Sequence, residues 1–222
     1  YQCDWSSDVC SSDLYLASQS PRRQELLRQI GVKFQLLLPD EHEDVESLEL
    51  ALPKERAIAY VKRVTLAKLT AASNRLQRRN ELPAPILCAD TTVAIQINGD
   101  DILLGKPEDD NDARRILKLL SGQRHAVHTA VGVHHNGTSD LRISSSIVTF
   151  KPLSDFDIDC YIASGEHLGK AGAYGIQGIA VCFISHMEGS YSGIMGLPLF
   201  ETAQLLSQAG IPYTFNPLRL SS

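Results

Sequence analysis

Apolar residues recur along this chain in two rhythms, short continuous runs that suit buried strands and three-to-four spacings that suit helices, and the two alternate. Leu14-Tyr15-Leu16-Ala17 reads as a strand. After a serine-bearing loop, Leu26, Leu27 and Ile30 share one helical face, with Ser20 at the N-cap, Pro21 at the first helical position and Gly31 as terminator. Val32 to Leu38 predicts a second strand running into the acidic loop Pro39-Asp40-Glu41-His42-Glu43-Asp44. A long helix is expected from about Pro53 to Leu76, its stripe made by Ala57, Val61, Val64, Ala71 and Ala72. Ile86-Leu87-Cys88-Ala89 is a buried strand that delivers Asp90, Thr91 and Thr92 at its end, and Val93 to Ile97 continues as strand into an Asn98-Gly99 turn. Ala113 to Leu120 predicts a helix ended by Gly122. Val127 to Val133 and Leu141 to Phe150 flank Asn136-Gly137 as a longer hairpin, and Ser154 begins a further helix. A glycine-rich stretch, 169–178, precedes an apolar strand expected at Ile179 to Ile184, and Leu197 to Ala209 is a last amphipathic helix before Gly210.

Within that frame a few charged residues are badly placed for a purely structural role. Arg22 and Arg23 occupy the first turn of a helix, where the positive end of the dipole and free backbone N–H groups disfavour cations unless an anion joins them. The bland alternative is a solvated helix start. Lys68 falls near the centre of an apolar stripe, where it either snorkels to water or serves a site. Asp90 stands at a predicted strand end, where open sheets place their ligands; otherwise it is a turn aspartate capping local N–H groups.

Composition narrows the reading. Residues 4–14, Asp4-Trp5-Ser6-Ser7-Asp8-Val9-Cys10-Ser11-Ser12-Asp13-Leu14, match one frame of a common sequencing-library adapter, so 1–14 is set aside as a non-native tail and 15–222 is taken as one catalytic domain. The tail holds three aspartates and no basic residue, so without it the formal charge moves from -5 to -2. That leaves no global field for DNA or RNA. Cys88, Cys160 and Cys182 remain, without the spacing of a disulfide framework, which suits a reducing cytoplasm. No apolar run approaches the length of a membrane span.

The chemistry is read from what is present and what is missing. The glycine-rich segment lacks a phosphate loop's glycine-lysine-serine ending and the dinucleotide fingerprint's spacing; it is either a flexible loop or a backbone close to a ligand, with Tyr174 offering a flat face and Gln177 an amide. His134 and His135 point to opposite strand faces, as do His125 and His128, so zinc is not indicated. No G-x-S-x-G occurs. If Arg22, Arg23, Lys68 and Lys106 converge with Glu43 and Asp90, the cations match a triphosphate and the carboxylates suit Mg2+ or Mn2+ and a polarised water, which is sufficient for attack on phosphorus. Glu43 is the weaker carboxylate, lying in a charge run.

Five motifs in order then become recognisable: Leu16-Ala17-Ser18 with Ser20-Pro21-Arg22-Arg23, Ala89-Asp90-Thr91, Gly105-Lys106-Pro107, the segment from Lys170 to Gly178, and Gly196-Leu197-Pro198. Across 15–212 the chain resembles the Maf family of nucleoside triphosphate pyrophosphatases. The resemblance implies an α/β protein of Maf/ITPase-like fold, a mixed twisted sheet flanked by helices, with two lobes and a central cleft. It implies a cytoplasmic homodimer that cleaves a nucleoside triphosphate between the α and β phosphates, using Mg2+, Mn2+ or Co2+. By position, Asp90 resembles the acceptor that activates water and a metal ligand, and Glu43 a metal or water partner; Ser18, Arg22, Arg23, Lys68 and Lys106 resemble triphosphate ligands, with Lys68 and Lys106 also in the catalytic set. Arg22, Thr91 and Gln177 resemble the dTTP/UTP branch, whereas the 7-methylguanosine triphosphate branch carries Trp, Gln and Glu there. A glutamine amide suits the O4 and N3–H edge of uracil or thymine. The chain departs from the family in 98–105, slightly longer than the usual turn before Lys106. A nucleotide-binding regulator of cell division and a methylated-purine triphosphate hydrolase are the competing expectations.

Overall fold

The computed structural model describes residues 14–214. Its strands are β1 (Tyr15–Leu16), β2 (Gln35–Leu36), β3 (Ile86–Ile97), β4 (Asp100–Leu104), β5 (Arg124–His135), β6 (Thr138–Phe150) and β7 (Ile184–Glu188). The helices are α1 (Pro21–Gln29), α2 (Ala57–Arg78), α3 (Asp110–Leu120), α4 (Asp155–Ala163), α5 (Tyr191–Met195) and α6 (Leu199–Gln208). The strands form one mixed sheet in the order β2-β1-β3-β5-β6-β7, with β4 also paired to β3. β1 runs parallel to β2 and β3, and the remaining pairings are antiparallel. Asn98-Gly99 and Asn136-Gly137 turn the two hairpins with positive φ at both residues, the backbone that matches strand twist.

Three apolar clusters hold this sheet. Leu14, Leu16, Leu87, Ala89 and Val131 pack against Leu26 and Leu27 of α1 and Leu205 and Leu206 of α6. On the opposite face Tyr15, Ile86 and Cys88 meet Leu69, Ala72 and Leu76 of α2. Beyond them Val93, Ile95 and Leu104 pack with α3, α4 and the aromatic group of Phe150, Tyr174 and Phe183. Each fully buried Leu or Phe side chain contributes about 1.5–3 kcal/mol relative to exposure.

Strand alternation follows from this arrangement. Cys88 lies against α2, so Asp90, two residues on, shares that face; Leu87 and Ala89 lie against α1 and α6, so Thr91 shares theirs.

Several expectations need correcting. β3 is continuous, so Asp90 is inside a strand and not at its end. On one edge, β1 pairs with β3 only at Ile86 and Leu87, and β4 begins only at Val93. Asp90 therefore falls in a gap between two neighbours while its other edge is held by Ala130 of β5. The apolar run at 179–184 is a 3-10 helix over Ile179–Phe183, and the strand follows it. The reason is that Phe183 and Ala180 turn into the core while Ile179 and Val181 are exposed, which is not a strand's two-residue period. The second strand is only Gln35–Leu36, and α2 starts at Ala57, whose amide is capped by Asp101 Oδ2 at 3.0 Å. Ser20 stands at the N-cap of α1 but makes no side-chain cap. Leu14 is fully buried and its carbonyl accepts from the Gln35 amide; 1–13 lie outside the described residues.

Candidate active site

A cleft of about 1090 Å³ opens between the acidic loop and α2 on one side and the start of α1 and the segment 168–177 on the other, with the middle of β3 as its floor. Asp90, Thr91 and Thr92 reach it because no neighbouring strand covers that stretch of β3 among the described residues.

The most ordered feature is a chain of four alternating charges. Lys68 Nζ donates to Asp90 Oδ1 at 2.6 Å and to Glu49 Oε1 at 2.7 Å, and Lys106 Nζ donates to Glu49 Oε2 at 2.8 Å. Lys68 thus leaves the apolar stripe of α2 for an ion pair in the cleft, with a side chain only 14% exposed. Asp90 is 6% exposed. Glu49 sits on a short 3-10 helix, Glu46–Glu49, whose C-terminal end is held by α2: the Tyr60 hydroxyl donates to Glu49 O at 2.8 Å and Arg63 Nη2 to O of the following Leu50 at 2.9 Å. Burial pushes the Glu49 carboxyl up, but Lys68 and Lys106 outweigh it and the net displacement is downward, so the group is ionised at neutral pH.

Across the cleft the two arginines divide their roles. Arg23 Nε donates to Gly196 O at 2.7 Å, Nη1 to Ser18 Oγ at 3.2 Å and Nη2 to Thr91 Oγ1 at 3.4 Å. Burial lowers the Arg23 pKa while Asp90 and Cys88 oppose it. Three of its N–H groups tie the β1–α1 loop to β3 and to the segment before α6, leaving the others for a ligand. Arg22 lines the cleft with no hydrogen bond to the described residues. Gln177 is exposed at the cleft wall.

Thus Ser18, Arg22, Arg23, Lys68, Asp90, Thr91, Lys106 and Gln177 all border one cavity. Lys106 follows the β3–β4 hairpin and reaches the cavity with its ammonium on Glu49 Oε2. Glu43 also borders the cavity, but its carboxylate is taken up elsewhere: Arg75 reaches it through Nε at 3.0 and 3.1 Å and Nη2 at 2.6 Å, and Arg78 Nη2 adds 2.6 Å. The Arg75 hydrogen bond leads the causes that pull the Glu43 carboxyl down to about 2. The carboxylate that stands beside Asp90 is Glu49, which sequence reasoning missed. Both lie in an acidic stretch, and nothing local separates them; only the fold of the loop onto α2 does.

Tyr174 is likewise no open platform, since it is 6% exposed and its hydroxyl pairs with His125 Nε2 at 2.8 Å. Burial pushes His125 down to about 4, so it is neutral. Among the described residues no group of three or more His, Cys, Asp or Glu could enclose a metal. Two carboxylates meeting at one ammonium do fit a hard divalent cation that takes its remaining ligands from water and substrate phosphates.

The Maf-like protein family model matches residues 13–209. The dTTP/UTP pyrophosphatase of Albidiferax ferrireducens is 56% identical over 90% of this chain and 98% of its own length. That of Ralstonia nicotianae is 58% identical over 89% and 94%. The solved Staphylococcus aureus Ham1 protein superposes on 93% of this chain and 94% of its own with a TM-score of 0.42 at 14% identity, too loose a likeness to bear on the fold. On its matching motifs, its cleft and this extent of identity, the chain belongs to the Maf-like protein family.

Proposed function

We propose that the protein hydrolyses dTTP and UTP to the nucleoside monophosphate and pyrophosphate. The observation that carries the reading is the shared ammonium of Lys68, which gathers Asp90 and Glu49 at the floor of a cleft whose opposite wall carries Arg22 and Arg23. The names of the relatives supply the substrate.

In this reading the triphosphate lies over the N-terminus of α1, with Ser18 and the remaining N–H groups of Arg23 on its oxygens. Asp90 takes the proton of the attacking water, whose oxygen bonds to the α-phosphorus as the bond to the bridging oxygen breaks and pyrophosphate departs. Lys68 orients the Asp90 carboxylate, and Lys106 offsets charge on the departing phosphates. Asp90 and Glu49 would hold a divalent cation, Mg2+, Mn2+ or Co2+, which when bound supplies Lewis-acid charge neutralisation. A cytoplasmic homodimer belongs to the same proposal; the three cysteines among the described residues are free, which supports a reducing compartment, and no described helix is long and apolar enough to cross a membrane.

Pyrophosphate release across a panel of nucleoside triphosphates with each metal tests it. The expected result is metal-dependent release from dTTP and UTP, with Asp90→Asn losing turnover while still binding nucleotide. Release from Asp90→Asn at the wild-type rate, or none from either pyrimidine substrate, overturns it.

A further inference from the structure

Charge is distributed unevenly around the cleft. On the α2 side Lys68 and Lys106 are each matched by Asp90 or Glu49. On the opposite side, among the described residues, Arg22 has no hydrogen bond and Lys170 has only the backbone carbonyl of Glu166 as acceptor. The two cations converge: a Cβ placed on Gly175 would stand 2.9 Å from Lys170 Cε and 3.4 Å from Arg22 Nη1. The Glu166 carboxylate, the acidic group closest in sequence, is bound through both oxygens to the Ile179 amide at 3.0 and 3.2 Å. Burial, and then Arg22, lower the Lys170 pKa, while Glu166 opposes them.

This cationic corner is set apart from the reacting end. Arg23 Nη2 reaches Thr91, next to Asp90 on β3, whereas Arg22, one residue earlier and about 100° around the helix, reaches Gly175. Gln177 is two residues from Gly175 on the same wall. Lys170 and Arg22 therefore meet at one corner of the wall that also carries Gln177, away from the attacked phosphorus, where the nucleobase of a bound nucleotide would lie.

We infer that Lys170 is a specificity-determining residue: with Arg22 it makes the base end of the cleft positive, favouring the two carbonyl oxygens of a uracil or thymine and repelling a cationic purine. The inference rests on the nucleotide reading above. Its physical basis is that discrimination arises as much from repelling the wrong ligand as from binding the right one. A 7-methylguanine carries a positive charge that two converging cations oppose directly. The neutral keto pyrimidine presents partial negative charge at both edges of N3–H and accepts from either group.

The test compares Lys170→Gln and Lys170→Arg with wild type in the full chain. Equilibrium binding of dTMP, 7-methylguanosine monophosphate and inorganic pyrophosphate is measured alongside KM and kcat for dTTP. For Lys170→Gln the expected result is about a tenfold loss in the preference for dTMP over the methylated purine. KM for dTTP rises with kcat little changed, pyrophosphate affinity stays constant, and Lys170→Arg restores the preference. An unchanged preference overturns the inference. So does weaker pyrophosphate binding with dTMP unaffected, which would place Lys170 at the phosphates. An equal loss for all three ligands that arginine does not rescue would mark a packing role and overturn it too. If wild type releases no pyrophosphate from any triphosphate yet the monophosphate preference shifts as expected, the hydrolysis reading fails and the base-end assignment stands.

Discussion

Replacing Lys68 with methionine keeps most of the side chain's volume on α2 and removes the one charge that Asp90 and Glu49 share. At 2.6 and 2.7 Å each Coulomb attraction amounts to about 6 kcal/mol at an effective dielectric near 20. Most of that is offset by the desolvation of three groups whose side chains are 14%, 9% and 27% exposed. What the substitution leaves is Asp90 without its ammonium and Glu49 with Lys106 alone. Partial exposure puts the cost at the low end of the range for a broken buried pair, about 2–3 kcal/mol at neutral pH. The sign with pH follows from the direction of Glu49: a carboxyl held below its ordinary value stabilises the fold above the ordinary carboxylate range and loses that contribution as pH falls through its lowered pKa. In Lys68→Met the Glu49 carboxyl is held down by Lys106 alone, so the deficit relative to wild type is largest near pH 7 and shrinks below about pH 4. Urea unfolding followed by far-ultraviolet circular dichroism at both pH values reads the deficit directly. Hydrolysis of dTTP should fall by about 10²-fold or more in kcat/KM. A deficit of the same size at both pH values would refute the argument, because the ion chain would then contribute nothing that titrates.

Glu43→Gln is expected to cost about 1–3 kcal/mol in urea unfolding while leaving kcat for dTTP within a few-fold of wild type, since Glu43 holds Arg75 and Glu49 holds the cleft. With its carboxyl pulled down to about 2, that stability difference persists from pH 7 to pH 5 and disappears only as pH falls from about 4 toward 2. Glu49→Gln should show the opposite pattern, a folded protein with turnover reduced about 10²-fold. Gly172→Ala places a Cβ 2.8 Å from Val93 Cγ2 at a backbone φ of +69°, so a loss of about 2–4 kcal/mol in thermal or urea unfolding is expected. Gln177→Glu should improve hydrolysis of 7-methylguanosine triphosphate relative to dTTP; unchanged relative rates would remove Gln177 from base reading.

Sequence pattern and structure agree where the signal is local. The stripe of Ala57, Val61, Val64 and Ala72 is fully buried, and Asn136-Gly137 turns a hairpin because those two residues accept positive φ. Arg22, Arg23, Lys68 and Asp90 stood out as charges that their elements explain poorly, and the cleft accounts for each of them. The run at 179–184 was misread because a short apolar segment carries no period long enough to separate a strand from a 3-10 helix.

What the chain determined alone was therefore its sequence of elements, its buried faces and the misplaced charges, all of which depend on neighbours within a few residues. Tertiary structure decided which carboxylate joins Asp90. Glu43 and Glu49 are equivalent in composition and surroundings until the acidic loop folds onto α2, where Arg75 takes one and Lys68 the other. The same holds for Lys170, whose meeting with Arg22 depends on a chain reversal that brings residues far apart in sequence to one point beside Gly175. Such pairings are set by long-range packing of the sheet and its helices, and no local rhythm of residues encodes them.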